Sequence, residues 1–325
     1  MKEIDILIKI AKLRYEEGLR QEVIADKLNK TQPEVSKLLK QAEGLGIIRK
    51  IVTINIPIEY QVSISLKEKF THISKAIVIN CRDEGYLKKE LGKAAAEEIR
   101  SSLRSGDRVA LSCGTTVSAA LDELKNDSGN IKNLEIYPLV IPMNPMCEEI
   151  SSAGLVTDCI RAFPGSKGYI VQLPIPRKNI VEVKRFYQEN CEDILQGALQ
   201  AEYMITGIGA ITSKGEGLTH SFNSLINGLG LFKTIQTLGG VAESCHQPIT
   251  SEGENLMEHP ELELLRNSLL YVPISKLREF VMIKKTTILA VAGGRDKHEA
   301  ILATLKAKVF NQLVTDIVTA EFLVG

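Results

Sequence analysis

From Ile77 onward the chain alternates short apolar runs with stretches of helical period, and this alternation limits the fold more than any other feature. Runs of four to eight residues separated by helices are the order of an α/β domain built on a largely parallel sheet, because parallel neighbours can be joined only through a crossover. The predicted strands are Ala76–Asn80, Arg108–Ser112, Leu134–Leu139, Gly168–Leu173, Tyr203–Gly207, Leu269–Pro273, Thr287–Ala292 and Gln312–Thr315, with helices filling the gaps. In such sheets ligands bind beyond the carboxyl ends of the strands, where loops feed helix N-termini.

Three of those loops carry suitable chemistry. Val109–Ser112 runs into Cys113-Gly114-Thr115-Thr116 and a helix, which converges a glycine, two hydroxyls and unpaired helix N–H groups on one spot. Met204-Ile205-Thr206 leads to Gly207-Ile208-Gly209, whose glycines permit close backbone approach. Ile288–Ala292 leads to Gly293-Gly294-Arg295-Asp296-Lys297, which places a cation at the start of the next helix. A single Gly-rich turn is often only a turn. Three in one domain, two of them with phosphate-suited groups, make a stronger case.

The first fifty-six residues read differently. Ile4, Ile6, Leu7, Ile10, Ala11 and Leu13 recur at helical spacing up to Gly18, predicting a helix over residues 3–17, and a second follows over Gln21–Leu28 with Val23, Ile24, Ala25 and Leu28 inward. After the break at Asn29-Lys30, Thr31 suits an N-cap, Pro33 fits the first turn, and Glu34 completes a capping box, so a third helix starts near Gln32 and ends at Gly44–Gly46. Its inward face is Val35, Leu38, Leu39 and Ala42, which leaves Gln32, Glu34, Ser36, Lys37, Lys40 and Gln41 outward. That is a helix-turn-helix pattern, in which the second helix of the pair reads base edges. The candidate DNA contacts are Gln21, Thr31, Gln32, Glu34, Ser36, Lys37 and Lys40, with Gln32 and Ser36 as readout residues. The plain alternative is a three-helix bundle with a solvated face. Ile47–Ile56 reads as a strand pair or wing, Pro57 ends it, and the boundary falls there: residues 1–56 bind DNA, and residues 57–325 bind the effector and oligomerise.

Charge divides along the same boundary. The whole chain sums to zero, yet residues 1–50 hold 11 Lys and Arg against 8 Asp and Glu, leaving the remainder net negative. Within Lys27–Lys50 the count is 6 against 2, enough for phosphate contacts although also compatible with a solvated helix face. The N-terminus carries charges among its apolar positions and no run approaches the ~18 apolar residues of a membrane span, so a cytoplasmic protein without membrane contact is expected. Six cysteines lie far apart without CxxC spacing, which predicts reduced thiols and neither a zinc site nor any other cofactor.

Along almost its whole length the chain resembles the SorC-type sugar-responsive bacterial regulators. The likeness is carried at the DNA-binding end by Tyr15-Glu16-Glu17-Gly18, Gln21-Glu22, Ile24-Ala25, Val35-Ser36-Lys37-Leu38-Leu39 and Gly46-Ile47-Ile48. At the effector end it is carried by Gly92–Ala96, Ser105-Gly106-Asp107, Gly114-Thr115-Thr116, Gly207-Ile208-Gly209, Gly239–Glu243, Gly293-Gly294 with Lys297, and Leu313–Asp316 with Ala320. The resemblance implies a winged helix-turn-helix followed by a Rossmann-like α/β effector domain of the sugar-phosphate isomerase/CoA-transferase fold. It also implies no catalytic residues, and homodimers or homotetramers on operator DNA. Carried over, Gly114, Thr115, Thr116 and Lys297 hold the phosphate of a sugar-phosphate effector and Glu243 accepts hydrogen bonds from sugar hydroxyls; Gly207 and Gly209 join the effector-binding candidates through the close approach that their loop permits.

Departures from the family pattern gather near the same pocket. Ile141-Pro142-Met143-Asn144-Pro145 stands where a Gly-Gly pair is usual, Ala242 replaces a glycine, and Cys245-His246-Gln247-Pro248 replaces an aromatic-containing stretch. Two rival readings stay open: a sugar-phosphate isomerase or hydrolase with an appended DNA-binding domain, using Glu243, Asp296 or His246 as acid and base, and a constitutive DNA-binding protein with a vestigial pocket. His246 reads as a loop histidine, since no second ligand stands at metal spacing.

Overall fold

The computed structural model describes residues 3–48, 57–142, 151–171, 180–212, 220–283 and 285–325. The chain divides into two compact units, residues 1–55 and 56–325.

The first unit contains α1 (Glu3–Tyr15), α2 (Gln21–Leu28) and α3 (Gln32–Gly44). Ile10, Leu13, Ile24, Ala25, Val35 and Leu39 form its core, with Ile6, Leu19, Leu28, Leu38 and Ile48 packed around them. The break before α3 is fixed locally. Asn29 takes the left-handed conformation (φ 53°), Thr31 caps α3, and the Glu34 carboxylate accepts from both the Thr31 N–H (2.7 Å) and hydroxyl (2.8 Å) while Thr31 Oγ1 accepts from the Glu34 N–H. α1 stops at Tyr15, two residues short of the expected end, because the chain turns through Gly18 at φ +69° and Leu19 N–H bonds back to Leu13. Residues 49–56 of the expected wing lie outside the described residues. Ile47 and Ile48 form a bend, both N–H groups donating to Ala42 O.

The second unit runs α4 (Tyr60–Lys69), β1 (Lys75–Ile79), α5 (Glu84–Ser102), β2 (Arg108–Leu111), α6 (Thr115–Asn126), β3 (Glu135–Pro138), β4 (Val140–Pro142), α7 (Ser152–Ala162) and β5 (Lys167–Gly168). It continues through α8 (Ile180–Leu199), β6 (Tyr203–Thr206), β7 (Gly209–Ala210), α9 (His220–Gly228), α10 (Phe232–Thr237), β8 (Gly240–Ser244) and β9 (Gln247–Thr250). The last elements are α11 (Glu263–Asn267), β10 (Leu269–Tyr271), α12 (Ile274–Met282), β11 (Thr287–Val291), α13 (His298–Ala307), β12 (Gln312–Asp316) and α14 (Ile317–Val324).

Seven strands pair in the order β1-β12-β11-β6-β2-β3-β5, every pair parallel. Strand residues alternate between two cores, as the period of two demands. Val78, Ala110, Met204, Ile288, Ala290 and Leu313 face one side, with Leu277, Ile301 and Leu323 from α12, α13 and α14. Ile79, Val109, Leu111, Ile205, Leu289, Val291 and Val314 face the other, with Leu91, Val117 and Val156 from α5, α6 and α7. Helices therefore cover both faces, and the expected α/β class on a largely parallel sheet holds.

Three details correct the sequence reading. The strand expected over Gly168–Leu173 is only the short edge β5, continued by one bond from Tyr169 N–H to Ile136 O, and residues 172–173 fall outside the described residues. Leu269–Tyr271 does not join the parallel sheet but pairs antiparallel with β4. An antiparallel β7-β8-β9 meander, absent from the sequence reading, sits beyond β6.

Candidate functional site

The three chemistry-bearing loops follow β2, β6 and β11, which are consecutive in the sheet, so their carboxyl ends lie side by side and the loops converge. The loops after β2 and β6 meet first: a Cβ placed on Gly114 would lie 3.5 Å from the Gly207 Cα, an ordinary contact. Lys297 then reaches across from the loop after β11, its ammonium donating to Ile208 O at 2.9 Å. A cleft of about 390 Å³ opens beside these groups, lined by Thr115, Thr116, Gly293, Gly294, Asp296 and Lys297 together with Glu84, Leu87, Lys88 and Leu91 of α5.

Thr115, Thr116 and Lys297 thus share one cleft. Gly114, Gly207, Gly209 and Glu243 are not among its lining residues. Gly294 has a different task, because its N–H already donates to Asp316 Oδ2 (2.9 Å) and Thr319 Oγ1 (3.1 Å). The Gly293-Gly294 turn packs on the carboxylate that caps α14, where a Cβ on Gly293 would lie 2.3 Å from Asp316 Oδ2. The α5 residues were missed by sequence reasoning. Their place in the cleft depends on the β1-β12-β11 order, which no local pattern reveals.

Glu243 is not a loop acid. It lies on β8, is only 3% exposed, and pairs with Gly209 across the meander. Its carboxylate accepts the His246 N–H at 3.1 Å. A Cβ on Gly209 would fall 2.6 Å from Glu243 Oε1 and 2.7 Å from its Cγ, so the glycine is what lets the carboxylate lie flat on β7. β8 and β9 are joined by Cys245 and His246, both left-handed (φ 51° and 59°), as a two-residue type I′ turn requires. Pro248 is tolerated on β9 because that strand is the edge of the meander. The turn is buried, unlike the loop expected for His246. Burial pushes the imidazole down to about 3, so it is neutral at physiological pH, and its Nε2 meets Ser221 Oγ at 3.0 Å.

The cleft is lined by two cations, Lys88 and Lys297, and two acids, Glu84 and Asp296. Desolvation lowers the Lys297 pKa, Asp296 and Glu243 oppose that shift, and the like charge of Lys88 adds to it. A ligand that brings negative charge relieves the repulsion between Lys88 and Lys297, with Glu84 and Asp296 in the same lining opposing it. The nearby thiols are inert by comparison: burial pushes Cys113 up to about 12 and Cys245 up to about 11.

On the first unit, Gln32, Lys37 and Lys40 are exposed and Ser36 and Gln21 half-buried. Among the described residues Lys37 and Lys40 form no ion pair, which leaves α3 with a cationic outer face. Thr31 and Glu34 are exposed too, but their polar groups are spent on the cap, and the two Thr31 donors hold the Glu34 carboxyl below its ordinary range.

Residues 58–325 match the protein family described as "Putative sugar-binding domain", and the chain belongs to that family. Over 323 residues it is 26% identical to the transcriptional regulator LsrR of Escherichia coli O139:H28, covering 98% of this chain and 94% of that protein. Among solved structures, full-length sorbitol operon regulator SorC of Klebsiella pneumoniae superposes with a TM-score of 0.66 at 19% identity, covering all of both chains. A transcriptional regulator of Streptococcus pneumoniae TIGR4 gives 0.66 at 20% identity over 81% of this chain and 95% of its own.

Proposed function

We propose that the chain is a transcriptional regulator whose affinity for operator DNA is set by a sugar or sugar phosphate bound in the cleft at the carboxyl end of β11, β6 and β2. The observation that carries this reading is the convergence, in a chain of the sugar-binding family, of the Thr115 and Thr116 hydroxyls at the start of α6 with the partly desolvated Lys297 ammonium. A phosphate monoester is recognised by such N–H and hydroxyl donors with a cation. Glu243, buried on β8 and near enough to Lys297 to act on its charge, is the carboxylate proposed for sugar hydroxyls. The capped α3, with Gln32, Ser36, Lys37 and Lys40 outward, is the reading head.

The cleft is read as a binding site without a reaction. Glu243 is engaged by the His246 N–H, and His246 is held neutral with Ser221, so neither is arranged as a free acid or base toward the cleft. Effector binding alters the packing of a dimer or tetramer and so the spacing of its paired reading heads, a coupling of about 1–3 kcal/mol. A thermal-shift screen of the whole protein against sugar phosphates and free sugars, with Lys297→Ala alongside, tests the site. A ligand at about 100 times its Kd raises apparent stability by roughly 2.7 kcal/mol. A shift that disappears in Lys297→Ala supports the phosphate subsite; a shift that survives moves the anion elsewhere, and the lack of any shift favours a vestigial pocket.

A further inference from the structure

α1 carries more apolar surface than the bundle it belongs to uses. Ile4 is 57% exposed, Ile8 40% and Tyr15 50%, and with the half-buried Ala11 they follow a 4-3-4 spacing. At 100° per residue these four side chains fall in a strip about 60° wide, rotated away from the Leu7, Ile10 and Leu13 face that fills the core. Beside it runs a groove lined by Asp5, Ile8, Lys9, Lys12, Leu13 and Glu17, apolar at its floor and bordered by both signs of charge.

We propose that this strip pairs with the α1 of a second copy of the chain, antiparallel about a two-fold axis passing between positions 9 and 10, and that the contact sets the spacing of two α3 helices on DNA. It rests on the DNA-binding reading. The strip is its own complement in that arrangement: Ile4 meets Tyr15 of the second copy and Ile8 meets its Ala11, each twice. The flank is complementary as well. Asp5 and Lys12 stand on the same side of the strip, so antiparallel packing brings Asp5 of each copy toward Lys12 of the other. Two helices of 13 residues bury less than the ~1,200 Å² of stable interfaces, so the pairing forms within an assembly held together elsewhere or on DNA. There it appears as cooperativity between half-sites.

The test uses the full-length protein. Cys81, Cys113, Cys159, Cys191 and Cys245 are buried, so with Cys147→Ser the variant Ile8→Cys supplies the one added exposed thiol, and Asp26→Cys on α2 is the matched control. A short bismaleimide is expected to join two chains through position 8 and not through position 26. Asp5→Lys is expected to lower cooperativity on a paired site about tenfold while leaving single half-site affinity unchanged. Adding Lys12→Asp to the same chain restores it, because the two-fold reverses both pairs together. Positions 5 and 12 are seven residues apart, about 10 Å along one helix, so contact within one chain does not explain such rescue. The proposal is overturned if position 8 stays uncrosslinked or links only within its own chain, or if the double variant is no better than Asp5→Lys. Crosslinking at position 8 in a protein that binds no DNA fragment would keep the pairing and remove the DNA-binding reading.

Discussion

Gly209→Ala places one methyl group where the structure has least room for it. The added Cβ would lie 2.6 Å from Glu243 Oε1, 2.7 Å from Cγ and 3.0 Å from Cδ, so turning the end of the carboxylate does not clear the clash. Glu243 is buried, and moving it strips the His246 N–H of its acceptor inside a buried turn. Overpacking of this kind costs about 1–3 kcal/mol, and an unsatisfied buried N–H adds roughly 1–3 kcal/mol. In a unit of this size each kcal/mol is worth about 2–4 °C in Tm. Gly207→Ala, two residues earlier in the same loop, is the internal control. Its nearest neighbour would be Cys113 O at 3.5 Å, ordinary contact, so a change of no more than about 1 kcal/mol is expected. Urea unfolding of both variants, followed by far-UV circular dichroism, separates them. Equal midpoints, or a Gly207→Ala protein less stable than Gly209→Ala, would refute the packing of Glu243 on β7.

His246 and His72 are both held below the ordinary histidine range, to about 3 and about 4, with burial as the main cause. The unfolded chain therefore binds protons that the folded one refuses. Stability present above about pH 6.5 is lost as pH falls toward these values, with a slope near 1.4 kcal/mol per pH unit for each group. His246→Asn, which keeps a residue tolerant of the left-handed turn, is expected to remove about one proton from that dependence in urea midpoints measured between pH 4 and 7; an unchanged slope would place the titration elsewhere. For DNA, Lys37→Ala and Lys40→Ala should each weaken operator binding alike across sequences and reduce the salt slope by about one, whereas Gln32→Ala should relax preference at one base by roughly 1–3 kcal/mol. A lysine variant with an unchanged salt slope does not lose a phosphate contact.

What the sequence disclosed was set by how local each signal is. The Thr31–Glu34 cap was legible because all its atoms lie within four residues, and six of the seven sheet strands were legible because buried parallel strands are continuous apolar runs, whereas the edge strand Lys167–Gly168 has no such run. The run Leu269–Pro273 was assigned to the wrong sheet because a short apolar run carries no record of its partner, here Val140–Pro142. The β8-β9 hairpin escaped because its left-handed turn uses Cys245 and His246 in place of the glycine or asparagine that normally announces one. In the cleft, Thr115, Thr116 and Lys297 were readable as residue types at strand ends. Lys88 and Glu84 were not, because only the sheet order carries α5 to the same mouth. The burial of Glu243 was equally hidden, since it follows from the meander folding over Gly209.

The central claim is that cleft and reading head act on one another, and the direct measurement is a titration of full-length protein onto an operator fragment at fixed salt, with and without the ligand that raises its thermal stability. The account predicts that the ligand changes operator affinity by about 5- to 150-fold, the range of ordinary coupling energies, and that Lys297→Ala abolishes this change while keeping the ligand-free affinity. Identical operator affinity with and without a ligand known to occupy the cleft would contradict it.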